Sequence, residues 1–406
     1  MNYLRAALLG LLFVSVSVAD DWPQILGPAR NGISGESGLI TTWPKDGAKI
    51  LWNKDVGAGY SGPVVVGDQL ILFQRVGADE VIESLDPATG KRKWKTAYAC
   101  DYQDMYGKGD GPRSTPVVAG ERIYTLGAGG DLTALKLADG AKVWQRNILK
   151  DYKVRQNFFG VGTTPIVEDG LVIVNVGGKG AGIVAFDAAT GAEKWKATDD
   201  GASYSSPVAA TIGGERLVFV FTRQGLVALD PKTGKVRFSK FWRSRQDASV
   251  NAAAPTVWGD LVFVTTSYRT GGLLLKVTKE GAEEVWKNDE SLSAHYNTPI
   301  LKDGYLYGID GRQETGARLR CIDFKTGKEQ WTKEGFGCAS MILAGTHIYA
   351  LTEAGELVCF EASPKAYRET ARAEVLGKPC RAEIALAGGR LFARDNDKLV
   401  CISLKK

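Results

Sequence analysis

The chain has 406 residues, 51 basic and 46 acidic side chains, a formal net charge of +5 and 44% hydrophobic residues. A balance this mild and this dispersed argues against a nucleic-acid partner, and two histidines far apart in the chain, His295 and His347, argue against a zinc site. Length alone allows two or three domains, but 49 glycines and turn signals spread from end to end, with no linker-like stretch, point to one long array of strands.

Residues 1–19 read as an export signal. Arg5 precedes an apolar run from Ala6 to Val18 that closes on Ser17-Val18-Ala19, small residues suited to peptidase cleavage. The run is shorter than the roughly 20 residues of a bilayer-crossing helix, and nothing later is continuously apolar, so no stable membrane insertion is expected. The first cysteine is Cys100, so a lipid-accepting cysteine does not follow the signal. The expectation is a single domain over residues 20–406, exported to the periplasm or the extracellular space.

Beyond the leader the chain repeats itself. Leu85-Asp86-Pro87-Ala88-Thr89-Gly90 leads to Trp94, Phe186-Asp187-Ala188-Ala189-Thr190-Gly191 to Trp195, Leu229-Asp230-Pro231-Lys232-Thr233-Gly234 to Phe238, and Ile322-Asp323-Phe324-Lys325-Thr326-Gly327 to Trp331. Weaker copies lead to Trp144 and Trp286. The Asp side chain can accept hydrogen bonds across a turn, Gly supplies positive φ, and the aromatic four residues later, or five at Trp286, opens the next strand. Upstream of each hairpin lies a small-residue/Pro step, such as Ser61-Gly62-Pro63 or Ser114-Thr115-Pro116, and then a β-forming run such as Leu70-Ile71-Leu72-Phe73. Each unit therefore reads as four antiparallel strands, A to D.

The aromatic anchors at Trp52, Trp94, Trp144, Trp195, Phe238, Trp286 and Trp331 are 42 to 51 residues apart, the length of one propeller blade. Two further units, Cys338 to Phe360 and Cys380 to Leu404, follow Trp331, and the last lacks its D strand. Ile50-Leu51-Trp52 is a D strand without A, B and C. Joining the two predicts an all-β, eight-bladed β-propeller closed by its amino-terminal strand, with no open edge. A seven-bladed count would leave the last unit as a tail, although Leu391-Phe392-Ala393 and Leu399-Val400-Cys401 keep the B and C pattern.

These hairpins resemble the tryptophan-docking repeat of the pyrroloquinoline-quinone (PQQ) type, Ala-x-Asp-x-x-Thr-Gly-x-x-x-Trp. That repeat builds quinoprotein dehydrogenase propellers and the BamB-type outer-membrane assembly factor. The resemblance covers nearly the whole mature chain, and it implies that the seven anchors pack on the neighbouring blade and lock the ring. It does not establish an enzyme, because the repeat is scaffold. A quinoprotein alcohol dehydrogenase would bring vicinal cysteines over PQQ, a calcium held by Glu and Asn, and a catalytic Asp. No two cysteines here are adjacent, no such acidic set recurs at matched blade positions, and Cys-x-x-Cys-His is missing.

Candidate ligand-binding positions follow from the register. The residue three before each A-strand Pro should stand at one mouth of the channel, and its occupants are Tyr60, Arg113, Gly162, Tyr204, Ala252 and Tyr296. Such a rim either stacks on and hydrogen-bonds a planar or sugar-like ligand or simply caps strand ends against water. Asn251, His295, Gln156, Asn157, Arg381 and Glu383 belong to the same region, and the insertion Cys100 to Arg113, with Tyr102, Tyr106, Lys108 and Asp110, sits over it. Cys321, Cys359 and Cys401 fill a slot that is Ser84, Ala134, Ala185 and Ala228 in other blades, as packed thiols would. Cys338 and Cys380 begin successive A strands, where export would permit a disulfide.

Two functions remain open on sequence. One is a non-catalytic propeller presenting its loop face or channel mouth to a protein or carbohydrate partner. The other is a periplasmic PQQ-dependent alcohol or sugar dehydrogenase with calcium. No Ser/His/Asp arrangement supports a hydrolase.

Overall fold

The computed structural model describes residues 21–107, 109–155 and 158–405. The strands form eight sheets, the blades of a propeller, and six of them are built wholly of antiparallel hairpins between sequence neighbours. Blade 1 comprises strands A to D at Val64–Val66, Gln69–Val76, Asp79–Leu85 and Arg92–Ala99. The A strands of blades 2 to 6 are Val117–Ala119, Ile166–Glu168, Val208–Ile212, Thr256–Trp258 and Ile300–Lys302. Strands B and C are apolar and buried because neighbouring blades cover both their faces, whereas Arg92–Ala99 alternates because one face of a D strand meets water.

Two strands near the amino terminus, β1 (Ile33–Ser34) and β2 (Ile50–Asp55), join blades whose other strands come from the opposite end of the chain. Antiparallel β2 is the D strand of blade 8, with Trp52 opposite Cys401 and Asn53 opposite Val400. The ring closes circularly, as the sequence predicts. Arg394, fully buried in blade 8, adds a latch by donating to the carbonyls of Phe73 and Gly57.

The repeat motif explains both the turn and the blade-to-blade joint. Asp86 Oδ1 accepts from the backbone N–H groups of Ala88 and Thr89 and from Thr89 Oγ1, at 2.8, 2.9 and 3.1 Å. Gly90 has φ +70°, and a Cβ there would stand 2.9 Å from the ring of Trp52 on the preceding blade. The glycine is therefore required twice, for its backbone and for the indole it carries. Each indole N–H donates to the hairpin of the next blade: Trp52 to Pro87, Trp144 to Ala188, Trp195 to Pro231 and Trp331 to Ser363, all between 2.8 and 3.1 Å. Phe238 has no such donor, and the adjacent Arg237 donates to the carbonyl of Lys279 in its place.

The small-residue/Pro step forms a second joint, at the axis. Gly62 N–H donates to Thr115 Oγ1, Thr115 N–H to Thr164 Oγ1, and Thr164 N–H to Ser206 Oγ, at 3.3, 3.1 and 3.2 Å. A belt of hydroxyls thus ties blades 1 to 4 around the channel, satisfying backbone donors that short A strands leave unpaired.

The segment from Trp22 to Ser34 closes the channel from within. Trp22 exchanges two backbone hydrogen bonds with Val65 of blade 1, and the Pro23 carbonyl accepts from Val118 of blade 2. Leu26 packs with Val208 and Ala254 of blades 4 and 5. Buried Arg30 donates to the carbonyls of Pro165 and Pro207 in blades 3 and 4. Finally β1 runs parallel to Ala339–Ala344, making blade 7 five-stranded. One stretch of thirteen residues therefore visits nearly every blade.

Candidate functional site

Above this plug the channel opens as a blind cup of about 240 Å³, with Ile25 at its floor. The pre-strand positions meet there: Tyr60, Arg113, Gly162, Tyr204, Ala252 and Tyr296 all line it, as do His295, Arg381 and Glu383. Asn251 does not. Its side-chain amide donates to the carbonyls of Thr222 and Trp242 at 2.8 and 3.2 Å and braces the connection between blades 4 and 5. Gln156, Asn157, Lys108 and the leader lie outside the described residues.

The cup has a cationic wall. The guanidiniums of Arg381 and Arg113 lie 5.6 and 5.9 Å from the ring centre of Tyr60, and Arg113 also lies 5.4 Å from that of Tyr102. Such contacts contribute about 0.5–1 kcal/mol each at accessible sites. Arg113 spends both terminal nitrogens on the carbonyls of Gly111 and Gly109, each at 3.0 Å, and so fastens the insertion Cys100 to Arg113 over the mouth. Tyr102 of that insertion is buried. Among the described residues Arg381 makes its side-chain hydrogen bond through Nε, which is 2.5 Å from Glu353 Oε1. Burial works against its charge, and the hydrogen bond and ion pair with Glu353 outweigh that effect, so its pKa is raised.

Glu383 is the acid of the cup. Its carboxylate accepts from Ser340 Oγ, and burial in the wall pushes its pKa up to about 6, a shift that the Ser340 hydrogen bond only partly offsets. His295 is held on both sides, with Nε2 2.8 Å from the Tyr268 hydroxyl and Nδ1 3.2 Å from Gln313 Oε1. Burial lowers its pKa, so the ring is neutral at pH 7. Tyr204 Oη accepts from the Phe159 N–H at 2.8 Å.

Several lining residues were not legible in the sequence. Ile25 reaches the cup only because the plug threads the channel. Tyr268 sits in a hairpin with φ +64° beside Arg269 at +59°, conformations that no residue pattern announced. Phe159, in Phe158-Phe159-Gly160, carried a usable signal, an aromatic pair in a connection between blades.

The family model described as outer membrane protein assembly factor BamB matches residues 30–158 and 151–333. The chain belongs to this BamB family. Its curated relatives include the BamB of Burkholderia pseudomallei, 29% identical over 48% of this chain and 45% of the relative, and that of Xanthomonas campestris pv. campestris, 26% identical over 62% of each. The chain thus spans about half to two thirds of the length of these relatives. Among solved structures, BamB from Moraxella catarrhalis superposes with a TM-score of 0.63 at 16% identity over 88% of this chain and 98% of that one. Quinohemoprotein alcohol dehydrogenase from Comamonas testosteroni superposes with 0.68 at 15% identity over 95% and 81%. At such identities the likeness concerns the fold.

The cup of this BamB-family chain does not fit a calcium-held quinone. Calcium takes six to eight oxygen ligands, and the carboxylates lining the cup are Glu383, engaged with Ser340, and Glu314 at the exposed edge. Among the described residues no three His, Cys, Asp or Glu side chains converge as a metal would need. All six cysteines are free and buried, Cys338 and Cys380 included.

Beside the mouth two connections make an exposed apolar patch. Met105, Tyr106 and Phe158 are 79, 50 and 40% exposed. Tyr106 packs edge-on against Phe158 and Phe159 at 6.0 and 5.5 Å, and Phe159 continues to Tyr204 inside the cup at 5.9 Å.

Proposed function

We propose that residues 1–19 are removed on export and that residues 20–406 form one periplasmic, non-catalytic propeller domain serving as a scaffold in outer-membrane protein assembly. Its partner is a protein, met at the loop face that carries the channel mouth. The observation that carries this reading is the patch of Met105, Tyr106 and Phe158, large apolar side chains held in water on a rigid ring, a feature of protein-binding surfaces. The membership of the chain in the BamB family supports the same reading. So does a cup in which His295 and Glu383 are tied to Tyr268, Gln313 and Ser340 rather than set against each other as nucleophile and base.

The test is removal of the chain from its native cell, followed by measurement of folded outer-membrane β-barrel proteins. A loss restored by the wild-type chain, but not by a folded variant carrying Tyr106→Ser and Phe158→Ser, is the expected result. Unchanged barrel levels after removal would end the assembly reading, and full rescue by the double variant would end the assignment of the face.

A further inference from the structure

The two halves of the cup differ in chemistry. Blades 8, 1 and 2 bring Arg381, Tyr60 and Arg113 to one wall. The connection between blades 4 and 5 brings Val250, Ala252 and Ala254 to the other, above Ile25. Among the described residues, one of the two lining cations is placed to hold a ligand. Arg113 is spent on two carbonyls of its own loop, whereas Arg381 is fixed through Nε to Glu353 and by the ring of Tyr60, and among the described residues neither of its terminal nitrogens makes a hydrogen bond. A guanidinium oriented in this way presents two parallel N–H groups, the geometry that fits a carboxylate.

We infer that the cup is a binding site for a small amphipathic monocarboxylate, its acid group on the free edge of Arg381 and its apolar group against Ile25, Val250, Ala252 and Ala254. Three features restrict the ligand. Glu383 on the same cavity disfavours a second negative charge. The plug closes the floor, so the ligand enters and leaves by the mouth and cannot thread through. The cavity of about 240 Å³ is below the roughly 300–1,000 Å³ of sites for drug-sized molecules, which limits the occupant to about one amino-acid side chain with its carboxylate. The acid is either free or the carboxyl terminus of a peptide whose preceding residues leave past Tyr106 and Phe158.

Calorimetric titration of the purified protein decides this with four probes: N-acetylleucine, N-acetylleucine amide, glucuronate, and a tetrapeptide ending in leucine with a free carboxylate. The expected result is saturable binding of N-acetylleucine, weakened about tenfold or more in the amide, which cannot form the hydrogen-bonded ion pair. Glucuronate, which has the acid but no apolar group, is expected to bind more weakly. Arg381→Gln should remove the preference for acid over amide. The tetrapeptide separates the sources: binding as tight as N-acetylleucine assigns a peptide terminus, and weaker binding a free acid. Equal affinity for acid and amide, no binding of the acid, or glucuronate binding as tightly as N-acetylleucine would overturn the inference. The acid/amide contrast needs no variant and stands even if Arg381→Gln does not fold. The cup is independent of the scaffold reading, so a cell without assembly defects leaves this result untouched, and the reverse holds.

Discussion

The indole N–H of Trp52 donates to the carbonyl of Pro87 at 3.1 Å, so a residue paired in register with Cys401 of the last blade is fastened to the first hairpin of the ring. Two joints meet at this side chain: the strand pairing that completes blade 8 and the contact that holds blade 8 to blade 1.

Replacing Trp52 should separate those joints. Trp52→Phe keeps a ring against Gly90 and loses one hydrogen bond, a loss of about 1 kcal/mol, and Phe238 shows that the ring tolerates this in another blade. Trp52→Ala also removes the packing and should lose about 3 kcal/mol or more. Urea unfolding of the two variants measures both. Equal destabilisation would mean that the hydrogen bond, not the ring, fastens the closure.

The plug makes a local prediction. Trp22 is 2% exposed, and its carbonyl accepts from Val65 N–H at 2.9 Å, while Pro23 accepts from Val118 N–H at 2.8 Å. Trp22→Ala should destabilise by about 3–5 kcal/mol and expose these amides first. Hydrogen exchange of Val65 and Val118 should accelerate well beyond that of Leu72 or Ile82 in the B and C strands of blade 1. Uniform acceleration would mean that the plug unfolds only with the whole ring.

Blade number, strand order and circular closure were legible because they rest on local chemistry repeated many times: an Asp that closes a turn, a Gly with positive φ, an aromatic at fixed spacing. The pre-Pro rim was legible for the same reason, since one register placed Tyr60, Arg113, Tyr204 and Tyr296 at one mouth. The plug was not, because Trp22 to Ser34 pairs with partners spread from Val65 to Ala344 and carries no period of its own. Asn251 is the neighbour of the rim position Ala252, and its amide turns to the backbone carbonyls of Thr222 and Trp242. No pattern in one sequence says which way such a side chain points.

The thiols give a chemical test. Burial pushes Cys338 and Cys359 up to about 11 and Cys321, Cys380 and Cys401 up to about 12. Thiolate is the reactive form, so the native protein should react negligibly with Ellman's reagent at pH 8 and release six equivalents once unfolded. Four equivalents after unfolding, with a peptide linking Cys338 to Cys380, would show that export bridges that pair.

Glu383 makes stability depend on pH in a stated direction. Its pKa is about 6 in the folded chain against an ordinary 4.5, so between these values the folded protein holds a proton that the unfolded chain has released. Stability attributable to this group is therefore greatest below pH 4.5 and falls as pH rises through 6. The difference is at most about 2 kcal/mol, and less where water in the cup screens the charge. Ser340 hydrogen-bonds the group, and Arg381, Arg113, His295 and Glu314 line the same cavity, so the measurement should compare wild type with Glu383→Gln rather than follow wild type alone. The variant should gain on wild type as pH rises from 4.5 to 7, and the gap should be level above that. A gap independent of pH over this range would mean that Glu383 ionises at its ordinary value and that the cup is wetter than its walls suggest.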